Sequence, residues 1–550
     1  MEWWKEKVIY QIYPRSFADS NGDGIGDLKG ITGKLDYLKE LGIGGIWLSP
    51  HYPSPFLDCG YDVSDYTAVG DEYGSLDDFR EFLHEAHRRD IRVILDLVLN
   101  HTSDQHQWFK KSCSSLNNAK RDWYIWKENK GSLPNDWQSC FGGPAWTLDE
   151  MTNEYYYHFF LKEQPDLNWR NPEVKAAMFD VMRFWLDLGV DGFRIDAITA
   201  VYEDEKLTNQ GMTPQEFKAK SEDNETGGFL QEKIWEHYMR YQIKQPELHN
   251  LLREIRLLTE SYGPDRFLVG ELPDTEYLGP NGEELHMVFN FPLMYEGISP
   301  KSVLMNQKTR LPLHPEGSWQ GNTLSNHDQS RIRSKYALDD LNHRSLKQAV
   351  FLMMTLKGTP FLYYGEELGM RDYSPSAIEE FKDLKSVNLY HSEIESGSSS
   401  EMALTLARKD TRDRCRTPMP WNRKVNGGFS TGTPWLPVDP EFMDGINVED
   451  ERENPESLFN FYKTIINFRN EHKVLQYGDF RGEFSEREDL LIFSRTLDSE
   501  SYFVIINFSE RKLVWKYPLK GTFEIIFGQS EDFRNGLISG GAMLILKVVV

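Results

Sequence analysis

The sequence predicts a (β/α)8 TIM barrel with an inserted domain after strand 3 and a C-terminal antiparallel β-sandwich domain. Three observations carry this expectation. Eight short apolar runs, most of them followed by a stretch with helical spacing, occupy the chain from Lys7 to Gly365. That rhythm breaks once, between 102 and 170, where 14 of 69 residues are aromatic. Beyond residue 474 the helical spacing gives way to alternating runs, the period of half-buried antiparallel strands.

The barrel strands are read in order as Lys7–Tyr13, Gly45–Pro50, Arg92–Asn100, Gly192–Ala197 and Arg266–Leu272. Each is a near-continuous apolar run, as expected of parallel strands buried on both faces. Met287–Phe291, Thr323–Asp328 and Pro360–Gly365 complete the eight. Helical periodicity predicts helices over Leu28–Leu41, Ser75–Asp90, Pro172–Leu188, Gln231–Glu260 and His343–Leu356. The domains expected are 1–101 with 171–474 (barrel), 102–170 (insertion) and 475–550 (β domain). The stretch 371–411, with SGSSS at Ser396–Ser400, reads as a polar, mobile loop.

Composition excludes several classes. The net charge of −24 repels nucleic acid and anionic lipid, so neither is expected as a partner. No apolar run approaches the ~20 residues of a membrane span, and the N-terminus lacks the pattern of a signal peptide. Four cysteines without a CxxC (Cys59, Cys113, Cys140, Cys415) fit a reduced, cytoplasmic protein. Fifteen tryptophans and 13% aromatics point to flat apolar ligands such as sugars or bases.

Active sites of (β/α)8 barrels lie at the C-terminal ends of the strands. Strand three ends Asp96-Leu-Val-Leu-Asn100-His101, strand four ends Arg194-Ile-Asp196, strand five ends in Glu271 and strand seven in Asn326-His327-Asp328. Alternation puts Arg194 and Asp196 on the same, inward side. Any one of these groups could instead be a helix cap or a buried ion pair, but charges at the ends of so many apolar strands are costly without a use. Two or three carboxylates, no nucleophilic cysteine and an aromatic wall suit glycoside hydrolysis, where one carboxylate attacks the anomeric carbon and a second donates a proton. A metal-dependent hydrolase would also gather His and Asp, yet no HxH or HExxH spacing occurs.

These strings identify the resemblance. The motifs YQIYPRSF, DSNGDGIGDLKGI, DLVLNHTS, QPDLNW, GFRIDA, VGEL, SNHDQSR, GTPFLYYGEELGM and RCRTPMPW together resemble the α-amylase superfamily of glycoside hydrolases, within it the α-glucosidase/oligo-1,6-glucosidase group, over essentially the whole chain. The resemblance implies a retaining exo-acting α-glucosidase with Asp196 as nucleophile, Glu271 as general acid/base and Asp328 as a third carboxylate holding sugar hydroxyls. It implies that Arg194 keeps Asp196 ionised, that His101 and His327 bond ring hydroxyls, and that Asp58 and Tyr61 bind and stack the non-reducing glucose. Arg416 would line the pocket floor, Phe160 and Gln164 would contribute from the insertion, and Asp96 and Asn100 would support from behind. Glu271 is expected in a partly dry apolar setting that keeps it protonated.

QPDLN resembles the version in oligo-1,6-glucosidases, sucrose isomerases and many α-glucosidases. Ala197, after the nucleophile, accompanies α-1,4 rather than α-1,6 links in this group, so maltose-like or sucrose-like substrates are expected. The steric effect of so small a residue is worth only ~1–3 kcal/mol, and Pro420 stands where relatives often carry Gln. Oligo-1,6-glucosidase, sucrose isomerase and trehalose synthase are the alternative enzymes. Transporter heavy chains share the fold and several strings as interaction subunits, but they need a membrane anchor and tend to lose catalytic residues retained here.

Asp19, Asn21, Asp23, the carbonyl of Ile25 and Asp27 stand at positions 1, 3, 5, 7 and 9 of a calcium-loop pattern, with Gly24 at 6 and Gly30, not Glu, at 12. The plain alternative is a glycine-rich turn with solvated aspartates. The resemblance implies a structural Ca²⁺, with Mg²⁺ as the other candidate, in the first βα loop and away from catalysis.

Overall fold

The computed structural model describes residues 2–222, 229–336, 343–483, 488–514, 522–534 and 536–549. Eight parallel strands close into a barrel: Ile9–Ile12, Gly45–Leu48, Arg92–Val98, Gly192–Asp196, Phe267–Gly270, Met287–Phe289, Trp319–Asn322 and Thr359–Tyr363, each paired with its neighbours in sequence and the last with the first. The interior is filled in layers. Ile9, Trp47, Ile94, Val269, Met287, Phe289 and Phe361 form one buried apolar cluster inside the cylinder. Two residues further along the first four strands, on the same inward side, come Gln11, Ser49, Asp96 and Arg194, all buried. The barrel core thus turns from apolar to polar toward its C-terminal end. Register aligns Asp96 with Arg194 on adjacent strands. Gly192 opens the fourth strand because a Cβ there would lie 2.0 Å from the Phe267 carbonyl oxygen.

The helices begin where their caps place them. Ser75 forms a capping box with Asp78 ahead of Leu76–Arg88. Asn171 caps Pro172–Asp187, with proline at the first helical position. Gly42, at φ +94°, ends Leu35–Leu41.

Four sequence expectations are corrected. The seventh strand is Trp319–Asn322, not Thr323–Asp328. Its polar sequence hid it: Gln320 Nε2 and Asn322 Nδ2 both donate to the Lys357 carbonyl inside the fold; Asn326-His327-Asp328 lies on the loop that follows. Gln231–Glu260 is two helices, Phe229–Met239 and Leu248–Glu260, separated around Pro246, which cannot continue a helix. Leu28–Leu41 is likewise broken, into Leu28–Thr32 and Leu35–Leu41. The polar stretch 371–411 holds a helical hairpin, Leu384–Glu395 and Ser400–Asp410. Gly397 turns at φ +94°, Ser399 caps the second helix, and Ala403 and Ala407 are buried at its contact face.

Within 102–170 lies an antiparallel three-stranded sheet of Trp126–Glu128, Glu154–Tyr157 and Trp146–Asp149, with Glu154–Tyr157 in the centre. At the C-terminus a five-stranded antiparallel sheet accompanies a three-stranded one. The expected run at Leu513–Leu519 is seen as Leu513–Val514; 515–519 lie outside the described residues. Arg469 and Arg495, both fully buried, tie this end to the barrel through carbonyls of Met354, Gly358 and Thr355.

Candidate active site

The polar end of the barrel interior opens into a pocket of about 300 Å³. Behind its wall one guanidinium is shared by three carboxylates. Arg194 reaches Asp96 Oδ1 at 2.6 Å and Asp196 Oδ1 at 2.5 Å through Nη1, and Glu271 Oε1 at 2.7 Å through Nη2. Asp96 is further held by Trp47 Nε1 and Tyr61 Oη, each donating at 3.0 Å. Ala197 takes the left-handed conformation at φ +42°, a strained turn for a residue with a Cβ. The turn aims its N–H at Glu271 Oε2, 3.0 Å away.

One cation cannot compensate three neighbouring carboxylates in a dry site. Burial, joined by the charges of Glu271 and Asp96 and opposed by Arg194, raises the proton affinity of Asp196. Burial likewise lifts Asp96 to about 6 against the pull of Arg194. The cluster therefore tends to hold a proton. Asp328 behaves oppositely. Burial alone would raise it, but the Arg416 and Arg412 guanidiniums, with the His327 ring 3.1 Å away, outweigh that and hold it below the usual carboxylate range. Arg416 Nη2 donates to Asp328 Oδ1 at 2.7 Å.

His327 is neutral, because burial lowers it to about 3. Gln11 Nε2, which can only donate, lies 2.7 Å from Nδ1, so Nε2 carries the proton; it stands 3.1 Å from Asp328 Oδ2 and 2.5 Å from Tyr61 Oη. Burial also lowers His101, to about 4. Gln164 accepts from the Leu161 N–H, which leaves its amide nitrogen to donate to Asp58 Oδ2 at 2.9 Å, while His101 Nε2 faces the Tyr61 carbonyl at 3.2 Å. Phe160 packs its ring 5.0 Å from that of His101.

The structure thus brings every expected site residue to one end of the barrel, with differences in detail. Asp58, Tyr61, His101, Phe160, Asp196, Glu271 and Asp328 face the pocket. Gln164, Arg194, His327 and Arg416 are fully buried behind that wall, so Arg416 positions Asp328 instead of flooring the pocket. Glu271 is not in an apolar setting: its side chain is 25% exposed and ion-paired. Sequence reasoning missed Arg412, which donates to Asp58 at 2.7 Å and Asp383 at 2.6 Å. It also missed Phe141, Gln329 and the cations Lys385, Lys409 and Arg414 at the rim. The run RKDTRDRCR was the available signal for the cations, but nothing in it says which way they face.

In the first βα loop, Asp19 accepts backbone N–H groups from Asn21, Gly22 and Gly24. Asn21 accepts from Asp23, and Asp23 from Ile25. Asp27 accepts from Ser20 and caps the next helix through the Gly30 N–H. The donors are all oxygen, which suits a hard divalent cation. Among the described residues no group of three or more His, Cys, Asp or Glu is placed to hold a metal ion.

A (β/α)8 barrel with carboxylates, neutral histidines and an arginine at its C-terminal mouth defines a carboxylate-based hydrolase. Residues 11–478 match the family model of the α-amylase catalytic domain. The chain belongs to the α-amylase family and is a glycoside hydrolase. It is 41% identical to the oligo-1,6-glucosidase of Parageobacillus thermoglucosidasius, covering 94% of this chain and 92% of that one. It is 37% identical to the α-glucosidase of Schizosaccharomyces pombe, covering 96% and 95%. Among solved structures it is similar to the isomaltulose synthase SmuA of Protaminobacter rubrum, with a TM-score of 0.89, 35% identity and full coverage of both chains.

Proposed function

We propose that this glycoside hydrolase is a retaining, exo-acting α-glucosidase that removes terminal α-linked glucose from short substrates, with α-1,4 or sucrose-like links preferred. The observation that carries the reading is the single guanidinium bridging Asp196 and Glu271. Two carboxyls tied to one fork favour the spacing of about 5–5.5 Å used by retaining enzymes over the ~6.5–9.5 Å of inverting ones. Asp196 attacks the anomeric carbon while Glu271 gives its proton to the glycosidic oxygen. The aglycone leaves, and Glu271 then takes a proton from water as that water displaces Asp196. Asp328, kept ionised by Arg416 and Arg412, accepts from ring hydroxyls; neutral His101 and the aromatic faces of Tyr61 and Phe160 complete the glucose contacts, and His327 holds Asp328 and Tyr61 from behind. The wall sealed by Asp58, Gln164 and Arg412 supports attack at a chain end.

A second reading, α-1,6 preference, is favoured by the likeness to an oligo-1,6-glucosidase. Initial rates on maltose, isomaltose, sucrose and trehalose separate the two. Faster cleavage of maltose or sucrose is expected; isomaltose cleaved well ahead of both overturns the linkage assignment. The first βα loop is assigned a structural Ca²⁺ or Mg²⁺ on Asp19, Asn21, Asp23, the Ile25 carbonyl and Asp27, supported by its all-oxygen donors. Cytoplasmic residence is supported by four unpaired thiols. Among the described residues no helix is long and apolar enough to cross a membrane.

A further inference from the structure

A cavity of about 270 Å³ adjoins the pocket and shares Glu271, Ala197 and Phe160 with it. Glu271, as proton donor to the glycosidic oxygen, faces the leaving group, so the leaving group lies in this second cavity. Its volume is close to the 300 Å³ of the pocket that takes one glucosyl ring. Half-buried Trp235 and Tyr295 give it apolar faces suited to a second ring. Beyond Glu271 an ionic bridge between separate segments forms the wall. Lys244 Nζ lies 2.6 Å from Glu236 Oε1 and 2.8 Å from Asp274 Oδ2. Glu236 belongs to the helix Phe229–Met239, Asp274 to the loop that leaves strand five, and Lys244 to the stretch before the helix Leu248–Glu260.

All three bridge residues line the second cavity and none lines the first. The side chains of Lys244, Glu236 and Asp274 are 21%, 16% and 18% exposed, which places the bridge between the cavity and solvent. Glu236 is also paired with Lys233 at 2.6 Å, so two carboxylates meet two ammonium groups and the wall suits a neutral sugar. Lys244 takes the left-handed conformation at φ +57°, which glycine adopts far more easily than lysine. Its N–H donates to the Thr199 carbonyl at 2.7 Å, close behind the nucleophile Asp196. A strained residue that keeps a long side chain at a site wall points to a use for that side chain. Burial works against the ammonium charge, but Asp274 and Glu236 outweigh it and raise the proton affinity of Lys244.

We propose that Lys244 is a specificity-determining residue that limits chain length. Its bridge to Glu236 and Asp274 closes the aglycone cavity after one sugar ring, so disaccharides are accepted and longer oligosaccharides are rejected. The proposal rests on the α-glucosidase reading of the site. A third ring has to part the bridge, which leaves partly buried charges without their partners.

The test measures kcat/KM of the purified full chain on maltose and maltotriose and on isomaltose and isomaltotriose, and reads the pair whose disaccharide is cleaved faster. Efficiency is expected to fall roughly tenfold or more from the disaccharide to the trisaccharide. Lys244→Met and Asp274→Asn each break the bridge without adding bulk. Both should raise the trisaccharide-to-disaccharide ratio roughly fivefold or more, chiefly through a lower KM for the trisaccharide. Lys244→Arg, which can still reach both carboxylates, should keep the ratio of the unaltered enzyme. A trisaccharide cleaved as efficiently as the disaccharide by the unaltered enzyme overturns the length limit. Variants that lose activity on both lengths alike, with the ratio unmoved, overturn the role of Lys244 in specificity. In either event hydrolysis of p-nitrophenyl α-glucoside leaves the glucosidase reading standing. No glucose released from that substrate or from any of the oligosaccharides overturns both.

Discussion

The proposed chemistry depends on the sharing of Arg194 among Asp96, Asp196 and Glu271. Asp196→Asn and Glu271→Gln each remove one reacting carboxyl while keeping its shape, so both variants should fold with an unchanged far-UV spectrum and lose roughly a thousandfold or more in kcat. Near-normal turnover by either purified variant would sink the assignment. The cluster also sets the acid side of the pH profile. Asp196 must be ionised to attack, and the negative charge of Asp96 is among the causes that raise its proton affinity. Asp96→Asn removes that charge, so the acidic limb of kcat/KM should move to lower pH; a limb that stays put or moves up contradicts the coupling. These residues were legible because a strand ending in two charges is anomalous in an apolar run. Arg412 was not, since it lies on a short 3-10 turn, Arg412–Cys415, with no apolar period around it.

At the scale of elements, the strands that read correctly are those whose burial and sequence agree. Arg92–Val98 is interior after its first residue and Gly192–Asp196 is interior throughout, and apart from Arg92, Asp96, Arg194 and Asp196 both are apolar. Trp319–Asn322 is equally buried but polar, and its pairing with Met287–Phe289 and Thr359–Tyr363 is visible only in three dimensions. Helix ends follow local rules. The reciprocal Ser75–Asp78 cap satisfies otherwise orphaned N–H groups, so Ser75→Ala should cost about 1 kcal/mol in chemical denaturation. No measurable loss would mean water replaces the cap. The helical hairpin over Leu384–Glu395 and Ser400–Asp410 shows the opposite case. Its polar, serine-rich turn looks like a mobile loop, yet its second helix leads into the turn that carries Arg412 and Arg414 to the pocket rim.

Across the whole molecule, the loop at Asp19–Asp27 joins distant parts of the chain. Trp435 N donates to the Gly24 carbonyl, and Asp19 N to the Phe429 carbonyl. A cation bound there would stabilise the folded state by mass action. Exhaustive chelation should therefore lower Tm by roughly 2 °C or more, restored by Ca²⁺ or Mg²⁺, with the bound metal counted by elemental analysis. A preparation that holds no metal and melts identically with and without chelator removes the metal from this loop. The acidic surface is separate from the chemistry: the pocket uses only a few of the 86 acidic residues.

By itself the sequence determined the barrel, the place of its interruption and the β-sheet C-terminus. Those follow from burial and alternation, which are local patterns written along the chain; the carboxylate roles rest on the motif resemblance, with Asp328 on the loop after the seventh strand and not at its end. Only the tertiary structure decided which cations face the pocket, that Arg416 stands behind Asp328, and that Glu271 is ion-paired with Arg194. Those facts depend on side chains from segments far apart in sequence meeting across one cavity. Charge balance at a site is a sum over neighbours in space, and no one-dimensional spacing records it.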